Sequence, residues 1–228
     1  MTLLRNPPPP RLLLATTVAL CCAACERTSS PQSSRTPSPR ATIERVIAAR
    51  DSGSYQTLNE LIVPGRAPEV IKTLMAVDEF LHANKSLCDY VRDAFALGLS
   101  QSIDQSHWGA NLDIFSRYVE LIDQRVAGDT ATVTFTVDGR IPLRHARLVR
   151  TGGVWRYDPG PGYDPGLPAA FQRMAHGLRQ VLDDLRGGRL SADAIRADPQ
   201  QLIEEVRVRL QPGIKMLPAP PTTQPDDD

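Results

Sequence analysis

The sequence predicts an α+β fold: helices packed on one face of a four-stranded antiparallel sheet, with further helices after it. Three observations carry this reading. Apolar residues recur at helical spacing from residue 39 to residue 95. After residue 117 the period drops to two, over four short segments joined by tight-turn dipeptides. From residue 171 the helical period returns. Helices, then consecutive strands in meander order, then helices segregate the two element types, whereas a parallel α/β sheet would alternate them.

Each element has its own signal. Ser38-Pro39 is a helix start, with serine as cap and proline at the first helical position. Ile43, Val46 and Ile47 then share a face, and Gly53 ends the helix. Ser54 opens a second helix carrying Leu58, Leu61 and Ile62, stopped by Pro64-Gly65. Pro68 opens a long third helix. Val70, Leu74, Val77, Leu81, Asn84, Cys88, Val91 and Phe95 step by four and three along one stripe, with a break expected near residues 84–86. Residues 101–105 read as a polar loop leading to Ser106-His107-Trp108-Gly109.

Residues 118–126 form the first predicted strand, and Gly128-Asp129 the first turn. Residues 130–137 alternate strictly, with Ala131, Val133, Phe135 and Val137 on one side and four threonines on the other. Asp138-Gly139 is a strong hairpin signal. Residues 141–150 and 154–157 give the third and fourth strands around Gly152-Gly153. The run DPGPGYDPG, residues 158–166, has glycines like a phosphate loop. Its prolines remove amide donors, its aspartates repel phosphate and no lysine follows, so it reads as a rigid linker. Phe171, Met174, Leu178, Val181, Leu182 and Leu185 make the next helical face, ended by Gly187-Gly188. Ser191 caps a short turn. Asp198-Pro199-Gln200-Gln201 opens the last helix, with Leu202, Ile203, Val206 and Leu210 inward.

The ends of the 228-residue chain carry an address. Arg5 and Arg11 are the only charges before position 25, and residues 12–24 form an apolar run of 13 residues. That is short of the roughly 20 residues needed to span a bilayer, but fits a secretory signal. Residues 26–40 hold five serines, two threonines and three prolines, and residues 212–228 hold five prolines before Asp226, Asp227 and Asp228. Neither segment has the apolar area to offset its ordering entropy, so both read as disordered ends. The predicted organisation is a signal segment over 1–24, a tether over 25–40, an α+β domain over 41–158, a helical extension over 167–211 and a tail over 212–228.

Charge and motifs exclude several functions. Twenty-six basic residues balance 26 acidic ones, which argues against a nucleic-acid-binding chain. Loss of residues 1–24 leaves 24 basic against 26 acidic residues, and only Cys25 and Cys88 of the four cysteines. With Cys25 modified, Cys88 has no partner for a disulfide, and its place in an apolar stripe reads as an inert thiol. His82, His107, His145 and His176 show no metal-ligand spacing, and no nucleophile elbow, Walker loop or dinucleotide fingerprint occurs. No cofactor or metal is expected. Arg140, Arg144, Arg147, Arg150 and Arg156 fall within 17 residues, but alternation splits them between faces. Such charges most simply guard exposed strands, and a basic edge also suits anionic lipid heads.

Two resemblances add to this reading. Cys22-Ala23-Ala24-Cys25 resembles the lipobox of bacterial lipoproteins, which implies cleavage after Ala24 and a diacylated Cys25. The alternative is plain secretion as a soluble protein. The string from Tyr118 to Tyr157, with Gly128-Asp129 before the threonine strand and then Leu148-Val149, Gly153, Trp155 and Tyr157, resembles the sheet half of nuclear transport factor 2-like domains, a cystatin-like α+β cone. That resemblance covers about residues 41–158 and implies helices packed into a curved sheet. The superfamily includes ketosteroid isomerase and dehydratases as well as binding modules, so it does not fix a function. A pocket of that kind would draw on His107, Tyr118, His145 and Trp155, with Asp104 as a further acid. The reading that follows is an envelope lipoprotein, anchored in a membrane by its lipid and facing the periplasm or exterior. It would act as a non-enzymatic module binding an envelope protein or a small apolar ligand, with no nucleic acid. The alternatives are an isomerase or dehydratase and a lipid carrier.

Overall fold

The fold is an α+β arrangement in which one long helix serves two cores. The computed structural model describes residues 37–110, 112–160 and 165–217. The predicted signal segment, Cys25 with most of the tether, residues 218–228 of the tail and residues 161–164 of the linker lie outside the described residues.

Helix α1 (Pro39–Asp51) starts at its serine cap, and α2 (Tyr55–Leu61) begins after Ser54 but ends before Ile62, which turns extended to pair with Tyr157. The Ser38 hydroxyl accepts the Ala41 amide, and the Ser52 amide closes the end of α1. Helix α3 (Ala67–Ala94) runs 28 residues, about 42 Å at 1.5 Å per residue. It passes through residues 84–86 without the expected break, because Asn84 sits in the stripe with its side-chain groups bonded off the helix. Beyond α3 the structure adds two short helices, α4 (Leu97–Ile103) and α5 (His107–Ala110), and a 3-10 turn at Asp113–Phe115. The predicted loop is therefore shorter, since α4 extends to Ile103, which is buried against α3.

Strands β1 (Val119–Ala127), β2 (Thr130–Val137), β3 (Arg140–Thr151) and β4 (Val154–Asp158) make an antiparallel meander in the order β1-β2-β3-β4. Both residues of the Asp138-Gly139 turn have positive φ, 54° and 64°, the twist a two-residue hairpin needs. Register pairs Ala131 with Leu148 and Val133 with Ala146, so one face of the sheet is apolar. A bulge between Leu121 and Asp123 interrupts β1. The outer edges are partly occupied. Ile62 and Val63 run beside Tyr157 on β4, and Arg40 of α1 donates to the Leu121 carbonyl on β1 at 3.0 Å.

After the linker come α6 (Leu167–Arg186), α7 (Ala192–Ala197) and α8 (Gln200–Ile214). Helix α8 continues through Pro212, three residues past its predicted end at residue 211. Helices α6 and α8 approach closely, since a Cβ on Gly177 would sit 2.5 Å from the Arg209 carbonyl oxygen.

The first core lies between the sheet and α1, α2 and the start of α3. It includes Ile43, Val46, Leu58, Leu74, Val133, Phe135 and Leu148, each without accessible surface. The second joins the rest of α3 to α4, α6, α7 and α8, with Phe80 and Phe171 ring centroids 5.6 Å apart. Phe80 and Leu87 lie off the predicted stripe. They are buried because α6 covers a second side of α3. The described residues form one compact unit, and both cores are complete within it.

Candidate functional site

The two-sided burial of α3 leaves a third side partly open, and a groove of about 650 Å³ lies along it. Asp78, Leu81, Lys85 and Cys88 are spaced three and four apart and form its floor. The end of α1 supplies Arg50, Asp51 and Gly53 at one wall. Asp104 and Ser106, then Gly109 and Ala110, and finally Phe115 and Arg117 supply the other.

The α1 wall is fixed by a three-residue cluster. Arg50, with only 13% of its side chain exposed, donates Nη1 to Asp78 Oδ2 at 2.5 Å and Nη2 to Asp78 Oδ1. The Tyr55 hydroxyl donates to the same carboxylate. This bidentate pair ties α1 and α2 to the middle of α3. Burial and the bond to Asp78 push the Tyr55 phenol up to about 12. Burial lowers the Arg50 value, but Asp78 outweighs it, and the guanidinium is held charged.

The opposite wall is organised by Asn84, buried on α3 with 4% exposure. Its Nδ2 donates to Asp104 Oδ1 at 2.7 Å, and its Oδ1 accepts the Gln105 amide at 3.0 Å. The Ser106 amide also donates to Asp104, at 2.8 Å. Burial raises the Asp104 carboxyl, but the Ser106 amide, the Asn84 side chain, the Ser106 hydroxyl and His107 outweigh it, and the net direction is down. Asp104 is therefore an anion held mainly by neutral donors. Cys88 lies beside it, half-buried, and burial and the Asp104 charge push its thiol up to about 11. A thiol that stays protonated is not a nucleophile at neutral pH.

A second polar cluster lies under the sheet. Asp113 is half-buried, accepts the Tyr157 hydroxyl at 3.4 Å and faces the charge of Arg144. Burial raises its carboxyl despite that charge.

The four residues expected to line a pocket occupy four separate places. Trp155 is buried on the inner face of β4 at 6% exposure, inside the first core. His145 points outward from β3, with Nδ1 3.2 Å from the Thr134 hydroxyl. Tyr118 stands at the end of the sheet, 79% exposed. His107 is exposed at the start of α5, its ring 5.2 Å from that of Trp108. None of the four lines the groove, which takes only Asp104 from the pocket candidates, along with Leu81, Asn84 and Cys88 of the α3 stripe. Arg50 and Asp78 are 28 positions apart and carry no local signal. Asn84 does carry one, as a polar residue in an apolar stripe.

No model of a known protein family matches the chain, and no curated protein or solved structure matches it either.

Proposed function

We propose that this chain is a tethered binding module of the cell envelope, anchored through lipid on Cys25, whose α3 groove holds a small polar ligand. The observation that carries the binding role is the groove itself. Its 650 Å³ lies in the range of small-molecule sites, and its charged walls are fixed by hydrogen bonds from three elements. Fixed donors and acceptors favour recognition at little ordering cost. The polar walls favour a polar ligand over the small apolar one expected from the sequence. The Cys88 thiol lines the groove, and its raised value weighs against thiolate chemistry there. The space between sheet and helices is filled by Val133, Phe135 and Leu148, which weighs against an acyl chain carried there. Asp113 beside Tyr157 is the feature that best suits the isomerase alternative, but Ile114 and Phe115 next to it are buried in the core.

The anchor reading supplies location, with the chain facing the periplasm or exterior. Among the described residues no helix is long and apolar enough to cross a membrane. A native mass spectrum of the chain purified from an envelope-competent host tests the groove. The expected result is an added small-molecule mass that denaturation removes and that Arg117→Glu with Lys85→Glu abolishes. A bare protein mass would overturn the ligand and leave a partner protein as the occupant to seek. Acyl mass on Cys25 in the same preparation tests the anchor, and an unmodified cysteine would overturn it.

A further inference from the structure

Exposed apolar side chains gather at one end of the sheet. Ile141 is 86% exposed and Tyr118 79%, with Leu143 at 48%. Register brings them to the same end of the sheet, Tyr118 and Ile141 on either side of β2. The Asp138 amide donates to the Tyr118 carbonyl at 3.1 Å, Val119 pairs with Val137, and Val137 pairs with Arg140. Three arginines share this end: Arg117 precedes Tyr118, while Arg140 and Arg144 line a cleft of about 250 Å³ with Ile141 and Pro142. The acids here are Asp138 in the cleft wall, Glu120 on β1, and Asp113 facing Arg144.

We propose that this end of the sheet docks on the surface of a lipid bilayer with anionic headgroups. Tyr118 and Ile141 enter the interface, and Arg117 and Arg140 meet the lipid phosphates. An aromatic with a polar tip beside a bare aliphatic chain suits the interfacial layer, and flanking arginines add attraction to anionic lipid. The chain's own course fixes the occupant. Its described part begins at Pro37, and Arg40 is held to β1 by its amide to Gln124 Oε1 and its guanidinium to the Leu121 carbonyl. Leu121 is three positions from Tyr118, about 10 Å along a strand. The segment that leads back to Cys25 therefore joins the fold beside β1 between Leu121 and Gln124, about 10–20 Å from Tyr118. Pro37 lies 12 positions after Cys25, a reach of at most about 43 Å, so an anchored chain keeps this end within reach of its membrane. The inference rests on the anchor reading for which surface is near, and on the side chains for affinity.

The test uses residues 26–228, which contain the whole compact unit and no acylation site. The chain is floated with phosphatidylcholine vesicles and with vesicles of phosphatidylcholine and phosphatidylglycerol. The expected result is binding at least fivefold tighter to the anionic vesicles. Tyr118→Asn with Ile141→Ser should weaken it at least tenfold with unchanged thermal stability, since both side chains are exposed and asparagine accepts the positive φ of 56° at position 118. Arg117→Glu with Arg140→Glu should remove the preference for anionic lipid. Failure to float with either vesicle, or binding that both double variants leave unchanged, overturns the proposal. So does a dimer that the apolar double variant dissolves, which would make a second copy the occupant. Vesicle binding here is independent of acylation, so this test and that of the anchor fail separately.

Discussion

Replacing Asn84 with alanine isolates what organises the groove. The substitution removes the donor to Asp104 and the acceptor of the Gln105 amide at a position 4% exposed. A hydrogen bond to a charged group contributes about 1.5–3 kcal/mol when dry. Asp104 faces solvent, so about 1 kcal/mol is the appropriate share. The half-buried Gln105 amide loses its partner at a cost of about 1 kcal/mol. Truncation of a buried side chain costs about another 1 kcal/mol, and the better helix propensity of alanine returns about 0.6 kcal/mol. The net expectation is a loss of about 2 kcal/mol, or about 4–8 °C in melting temperature for a chain of this size. Urea unfolding of residues 26–228 at several pH values is the assay. Asp104 has a lowered folded-state pKa, so its contribution is present above the unfolded value near 3.9 and is lost as pH falls through the folded value. The deficit of Asn84→Ala should therefore narrow as pH falls from 7 towards 3. A loss below about 0.5 kcal/mol, or one that does not change with pH, would refute the account of this wall.

The same glycine-to-alanine change should have opposite signs at two places: Gly177→Ala, where the new Cβ meets backbone of α8 at 2.5 Å, lowers stability by about 2 kcal/mol. Gly98→Ala, with nothing within 4 Å, raises it by about 0.5 kcal/mol, and urea midpoints read both. Tyr55 has a raised pKa of about 12, so the folded state holds its proton longer than the unfolded chain, and stability falls as pH rises from about 10 towards 12. Tyr55→Phe should flatten that alkaline slope in thermal melts. With Cys88 pushed from 9.0 to about 11, its thiolate fraction at pH 8 is about 100-fold lower than that of a free thiol. Iodoacetamide should therefore label native residues 26–228 at least 100-fold more slowly than the urea-unfolded chain. Asp78→Ala leaves Arg50 buried without its carboxylate and should cost about 2–3 kcal/mol in urea unfolding.

Local pattern determined the element order of this protein. The alternation over Thr130–Val137, the Asp138-Gly139 turn and the serine caps of α1 and α7 act through neighbours in sequence, so they could be read directly. The four-stranded meander between two sets of helices follows from them. The stripe on α3 was legible for the same reason, but it marked only one of the faces that became buried. Phe80 and Leu87 needed α6, which begins 73 positions beyond the end of α3, to give them a partner. The short helices α4 and α5 also escaped pattern reading, because seven and four residues are too few to show a period. The groove depended most on tertiary structure. Arg50 with Asp78, and Asn84 with Asp104, join positions 28 and 20 apart, and hydrogen bonds at that separation leave no periodic trace. Composition and spacing mark the apolar face within each element. Only the packing of α1, α3 and the turn after α4 decides which charges meet, because a charge pair is made by distance in space.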